Sequence, residues 1–318
     1  MEVAVDKGRE ALDRKEIDAR LGEIDSPVAR EVLLDLLAGE ISPVITLSRL
    51  LLALGWPSEV EATLAEVAQS WGRPLHPSIR EVARLLQDHR EGCERVATML
   101  REHPDPDVST SPAEDVIAAC RSFFDRSVER HETASVAAYS LGDPEILATA
   151  TREVVDLLQR WDLLGADRRT LEIGCGIGRM QAALAPKVAE AHGIDISPRM
   201  IEAARRRCAD LPNVHLAVSS GRDLAGFDAE SLDLVLAVDS FPYIFQAGPA
   251  LAEAHFHEAA RVLRPGGDFV LFNYSYRDDL ESDKRDVHRL ARAAGFTVVV
   301  AGAQLFTFWD GIAFRMRK

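Results

Sequence analysis

Between Leu171 and Met180 an apolar run enters three glycines at alternate positions, Gly174, Gly176 and Gly178. Glu172 stands two residues before the first of them, and a helix-like run begins near Met180. A strand that turns through glycines into a helix leaves bare main chain against which a ligand can lie. The first N–H groups of the helix add donors and a positive dipole end. From here to the end of the chain, β-type apolar runs alternate with helical patterns, which predicts a mostly parallel sheet with helices on its faces.

A second run, Glu190 to Asp195, ends in an acid, and Ile196, Ser197 and Pro198 follow. Ser197 and Pro198 have the chemistry of a helix N-cap and first position, which leaves Asp195 free for a ribose, whose hydroxyls a carboxylate at this place can accept. A third strand is expected at Val214–Val218, leading to Ser220, Gly221, Arg222 and Asp223. The fourth, Leu232–Val238, is nearly all apolar, as a strand buried on both faces should be. Asp239 and Tyr243 follow at its carboxyl end, where ligands of open α/β sheets bind. A helix over Ala250–Leu263 then stops at Arg264-Pro265-Gly266-Gly267, ahead of a strand over Asp268–Asn273. A helix over Leu280–Ala294 and a strand over 295–300 come next. Gln304–Phe308 and Ile312–Met316 are expected as two ends of a last strand, with a turn at Asp310-Gly311.

The spacing Glu-x-Gly-x-Gly-x-Gly differs from the dinucleotide fingerprint Gly-x-Gly-x-x-Gly. It resembles the first motif of class I S-adenosylmethionine-dependent methyltransferases. Arg261-Val262-Leu263-Arg264-Pro265-Gly266-Gly267, about 90 residues on, resembles the turn those enzymes carry before their fifth strand. The resemblance spans roughly residues 135–318. It implies an α/β fold with a seven-stranded, mostly parallel sheet whose antiparallel seventh strand is inserted near the edge. It implies S-adenosylmethionine as cofactor, held by Glu172, Gly174, Cys175, Gly176, Gly178, Asp195, Ile196 and Met200, with Gly221, Arg222 and Asp223 near the adenine. Asp239 faces the donor or the acceptor, and Tyr139, in a segment crossing over the pocket, covers one of them.

The donor's methyl group leaves a neutral thioether, so catalysis rests on alignment and exclusion of water. A base is needed for a phenol or alcohol acceptor. Asp239, Tyr243 and His255 are the catalytic candidates, with His257, Tyr274 and Tyr276 as further residues near the expected pocket. His255 and His257 lie two apart on a helix and point to different sides. Cys93, Cys120, Cys175 and Cys208 show neither zinc-like spacing nor a disulfide framework, so no metal is expected. The expected function is methyl transfer to an O or N atom of a small-molecule metabolite. The alternatives are a protein or carrier-bound substrate, or a non-methylating member of the fold.

Net charge is −14, and residues 1–150 hold 28 acids against 16 bases. Such a chain does not gather nucleic acid by counterion release, and it avoids anionic membrane surfaces. The first residues do not form a secretory signal, and a cytoplasmic protein is expected.

Residues 1–103 have the pattern of a helical domain. Helices are expected from Ser26-Pro27 to Ala38, from Ser42-Pro43 to Leu54, from Ser58 to Trp71 and from Ser78 to Leu100. Leucines among 33–37 and 47–54, Leu52 included, supply a small core or a surface for a homodimer or protein partner. A proline-rich linker is expected at 104–112, with the binding domain at 113–318.

Overall fold

The structure, a computed structural model, describes residues 13–21, 24–102 and 111–318. All but the last two residues of the expected 104–112 linker lie outside the described residues. The chain divides into two compact units, Met1–Arg101 and Glu102–Lys318. Among the described residues, no helix is long and apolar enough to cross a membrane.

The first unit is helical: α1 (Arg14–Leu21), α2 (Pro27–Leu37), α3 (Pro43–Leu54), α4 (Pro57–Trp71), α5 (Pro77–Asp88) and α6, which runs Arg90–Glu102. Ser26 and Ser42 cap α2 and α3 by accepting from the N–H groups of Ala29 and Ile45, with proline at the first helical position. Ser58 is not a cap: α4 begins one residue earlier, at Pro57, and Trp56 at its N-cap makes no side-chain bond. The single helix expected over 78–100 is two, because the backbone of His89 leaves helical geometry (φ −116°, ψ 24°). Leu33, Leu36, Leu47, Leu50 and Leu51 are buried, whereas Leu52 is 56% exposed and lies outside this core.

The second unit opens with α7 (Ala113–Arg130), two 3₁₀ turns (Ala134–Val136 and Ala138–Ser140) and α8 (Pro144–Arg160). The α/β part follows as β1 (Arg169–Ile173), α9 (Arg179–Leu184), β2 (Glu190–Asp195), α10 (Pro198–Arg207), β3 (Val214–Val218) and β4 (Leu232–Val238). Then come α11 (Phe241–Gln246), α12 (Pro249–Val262), β5 (Leu263–Phe272), α13 (Leu280–Ala293), β6 (Thr297–Gln304) and β7 (Ile312–Arg317). Among the described residues the sheet has seven strands in the order β3-β2-β1-β4-β5-β7-β6. β1 to β5 pair in parallel, and β7 runs antiparallel between β5 and β6.

The alternation of β4 shows why it is apolar throughout. Leu234, Leu236 and Val238 enter the core on one face of the sheet, and Val235 and Ala237 enter the core on the other. β5 is longer than expected, because Gly266 and Gly267 exchange hydrogen bonds with Lys318 and the Arg-Pro-Gly-Gly turn joins the ladder. The last strand is shorter at its start than expected: Gln304 ends β6, and 305–311 is a loop that drives Phe306 and Trp309 into the core. α11, directly after Asp239 and Ser240, was not legible as a helix in the sequence.

Candidate functional site

The glycine turn leaves β1 with Gly174, Gly176 and Gly178 all at positive φ, where residues with a Cβ are strained. Each glycine also answers to a different neighbour. A Cβ at Gly174 would lie 2.4 Å from the Cβ of Ser240, so its absence brings the end of β4 against the turn. At Gly176 it would meet Val136 Cγ1 at 2.9 Å, so the first 3₁₀ segment lies over the turn. At Gly178 it would meet the Cβ of Ala204 at 2.9 Å, where α9 packs on α10. The N–H groups of Gly174 and Cys175 both donate to the Ile194 carbonyl, at 2.8 and 3.0 Å. Cys175 is buried and its thiol is pushed well above its usual range by desolvation, which suits a small filler and not a nucleophile.

Three carboxyl groups stand at the carboxyl ends of these strands. Glu172, 3% exposed, accepts a 2.8 Å hydrogen bond from Gln181 Nε2, and burial pushes its pKa up to about 7. Asp195 accepts from Gly176 N (2.8 Å) and Ser197 N (2.9 Å), and burial raises its pKa to about 6. It therefore ties the glycine turn to the start of α10. Asp239, partly buried and raised to about 6 by desolvation, has a left-handed backbone (φ 62°). Asn273 Nδ2 and the Tyr276 hydroxyl both donate to its Oδ1, each at 2.8 Å, and among the described residues no hydrogen bond reaches Oδ2. Asn273 is fixed in turn, since its Oδ1 accepts from Ile312 N at 2.8 Å.

Arg179, at the start of α9, is the cation among these acids: its charge lowers the pKa of both Glu172 and Asp239. Its Nη2 donates to the Tyr139 hydroxyl (2.8 Å) and its Nη1 to Thr151 Oγ1 (2.9 Å). Tyr139 is buried and stacks on Trp309 with ring centroids 5.2 Å apart. Tyr243 meets Phe124 of α7 at 5.1 Å and Tyr276 at 5.8 Å, both edge to face. α7 also reaches α10: Ser197 Oγ donates to Asp125 Oδ1 at 2.6 Å, and Ile196 packs in the apolar cluster with Ile117.

The structure thus brings together Glu172, the glycine turn, Asp195, Asp239, Tyr139, Tyr243 and Tyr276. Ile196 and Met200 lie beside Asp195, with Met200 buried at the start of α10. Gly221 approaches the same strand end: a Cβ there would lie 2.8 Å from Ile196 Cγ2 and 3.3 Å from Ile117 Cγ2. Others fall outside the group. Arg222 is exposed and pairs with Glu114, and Asp223 is exposed and accepts from Ala225 N in its own turn. His255 is buried within α12, its Nδ1 2.9 Å from the Leu251 carbonyl and its charge neighbours Asp223 and Glu258. His257 is exposed, and Tyr274 is a core residue stacked on Phe241. Arg179, Gln181, Asn273 and Asp125 escaped the sequence reading, because their partners lie 9 to 74 residues away.

Buried acids held near neutral pKa values by desolvation, with one arginine among them, fit a ligand that brings positive charge. The glycine turn, the terminal acid of β2 and the strand order are the features that the resemblance to class I S-adenosylmethionine-dependent methyltransferases implies. Residues 171–271 match the family described as a methyltransferase domain. It is 32% identical over 139 residues to the S-adenosyl-L-methionine-dependent Diels-Alderase iccD of Talaromyces variabilis, covering 42% of this chain and 46% of that protein. To the demethylmenaquinone methyltransferase of Tropheryma whipplei (strain Twist) it is 35% identical over 111 residues, 35% of this chain and 44% of that one. The chain spans about half the length of the curated relatives it matches. The solved magnesium protoporphyrin IX methyltransferase of Synechocystis PCC 6803, with S-adenosylmethionine bound, shares the fold. Its TM-score is 0.50 at 17% identity, covering 64% of this chain and 97% of that one.

Proposed function

We propose that this protein transfers a methyl group from S-adenosylmethionine to a small-molecule acceptor, and that the acceptor atom is a hydroxyl oxygen. The cofactor supplies an electrophilic methyl carbon on a cationic sulfur. The glycine turn and Asp195 form its cradle, and Glu172 offers a buried countercharge to its ammonium group. The observation that carries the hydroxyl assignment is the one-sided bonding of Asp239. Asn273 and Tyr276 both occupy Oδ1, which leaves Oδ2 to take a proton. A carboxylate titrating at about 6 is charged at neutral pH and close enough to it to act as a general base. Tyr243 and Phe124 supply an apolar wall for a ring-bearing acceptor. The Tropheryma whipplei relative is itself named for a small-molecule acceptor, demethylmenaquinone.

The Diels-Alderase relative favours one other reading, in which the bound cofactor is not consumed. Incubation with methyl-labelled S-adenosylmethionine and a set of phenols, enols and amines separates the two. Methyl transfer with release of S-adenosylhomocysteine is expected for a hydroxyl acceptor, and Asp239→Asn should slow it by about 10²–10⁴-fold. Cofactor that binds but stays intact with every acceptor would sink the proposal, as would wild-type rates in the Asp239 variant.

A further inference from the structure

A second constellation lies on β2 and β3, away from the glycine turn. Glu190 opens β2, and His192 follows two residues later on the same face of the strand. β3 pairs with β2 in parallel with His215 directly beside His192. The three side chains converge: one ligand atom from each lies within 4.8 Å of the others. His192 Nε2 is 2.9 Å from Glu190 Oε2, and the two imidazoles are nearly parallel with centroids 4.8 Å apart. The other carboxylate oxygen, Glu190 Oε1, is held at 3.2 Å by Arg169 Nη2, which turns Oε2 toward the histidines. Phe227 packs edge-on to His192 at 5.6 Å and gives the group an apolar wall. His215 is exposed on the edge strand, so its ring can turn without disturbing the core.

We propose that Glu190, His192 and His215 form a zinc-binding site that clasps edge strand β3 to β2. Two imidazole nitrogens and one carboxylate oxygen are the borderline donor set that suits Zn²⁺. Ligand atoms around a tetrahedral zinc stand roughly 3.4 Å apart, given arms of about 2.1 Å, so the 2.9 Å His192–Glu190 pair opens slightly as the ion replaces their shared proton, and the exposed His215 ring rotates inward. Water completes the fourth position on the open side. Asp195 ends the same strand five residues after Glu190 and three after His192, about 10–16 Å along it at 3.3 Å per residue, so the ion is separate from the proposed methyl-transfer chemistry. Its work is mechanical: β3 leads into the loop that carries Gly221, and pinning β3 fixes where that loop leaves the sheet.

The test uses the tag-free chain of residues 1–318 after chelator treatment, titrated calorimetrically with ZnCl₂ at neutral pH, and loaded in parallel with Co²⁺ for absorption spectroscopy. One saturable zinc per chain is expected, with a Co²⁺ ligand-field spectrum of nitrogen and oxygen donors and a raised melting temperature. His215→Ala and Glu190→Gln should each weaken zinc binding by at least about tenfold. The exposed position of His215 makes its variant a safe one for folding. No saturable uptake, or uptake that His215→Ala leaves unchanged, would overturn the proposal.

Discussion

Gly174→Ala tests whether the end of β4 must press against the glycine turn. The new Cβ would lie 2.4 Å from the Cβ of Ser240 and 2.9 Å from its Oγ. That oxygen donates to the Ile173 carbonyl, so the collision also threatens a hydrogen bond across the two strand ends. Three costs add. A left-handed alanine at φ +73° costs about 1–2 kcal/mol. Overpacking against Ser240 costs about 1–3 kcal/mol. Loss of the Ser240 hydrogen bond costs about 0.5–1.5 kcal/mol. The sum, about 2.5–6.5 kcal/mol, is a large part of the ~5–15 kcal/mol that stabilises a typical domain. Urea unfolding of the variant against the parent measures it. Ser240→Gly removes the colliding atoms and the same hydrogen bond but not the backbone strain, so in the double variant the overpacking and hydrogen-bond shares, together about 1.5–4.5 kcal/mol, should return as coupling energy. Costs that add within about 0.5 kcal/mol, or a Gly174→Ala cost below about 1 kcal/mol, would refute the close-approach argument. Binding of S-adenosylhomocysteine should weaken in Gly174→Ala and recover in the double variant.

Two further outcomes follow from the carboxyl groups. The methyl-transfer rate should rise with pH through about 6 as Asp239 ionises, and because Asn273 holds that pKa down, Asn273→Ala should move the limb to higher pH; a pH–kcat profile with an unmoved limb would contradict the positioning role. Glu172, Asp195 and Asp239 bind their protons more tightly folded (about 7, 6 and 6) than unfolded (about 4). The ligand-free protein should then lose stability as pH rises from about 4 through about 7, because the unfolded chain gives up those protons first. Melting temperatures across that range check this, and Glu172→Gln should flatten the decline; a stability that climbs over the same interval would be inconsistent with desolvated acids.

The fold was largely legible because its cues are local. The apolar run of β4, the glycine turn after β1 and the Ser197-Pro198 start of α10 each act over a few residues, through burial, backbone freedom and capping. Where the reading slipped, a distant partner had intervened. β5 reaches back to Leu263 because Lys318 pairs with its glycines, and Phe306 leaves the expected last strand for the core, where it stacks on Trp309. Asp223, at the expected loop position, turns out to satisfy its own backbone in the open.

Sequence alone placed the acids and glycines along the strands, since strand and helix periods and turn chemistry are properties of neighbouring residues. Which oxygen of Asp239 stays open was decided by Asn273 and Tyr276, 34 and 37 residues away. The pairing of His192 with His215 was decided by the parallel register of β2 on β3. Such meetings follow from how strands align and how the core packs, and no local pattern records them.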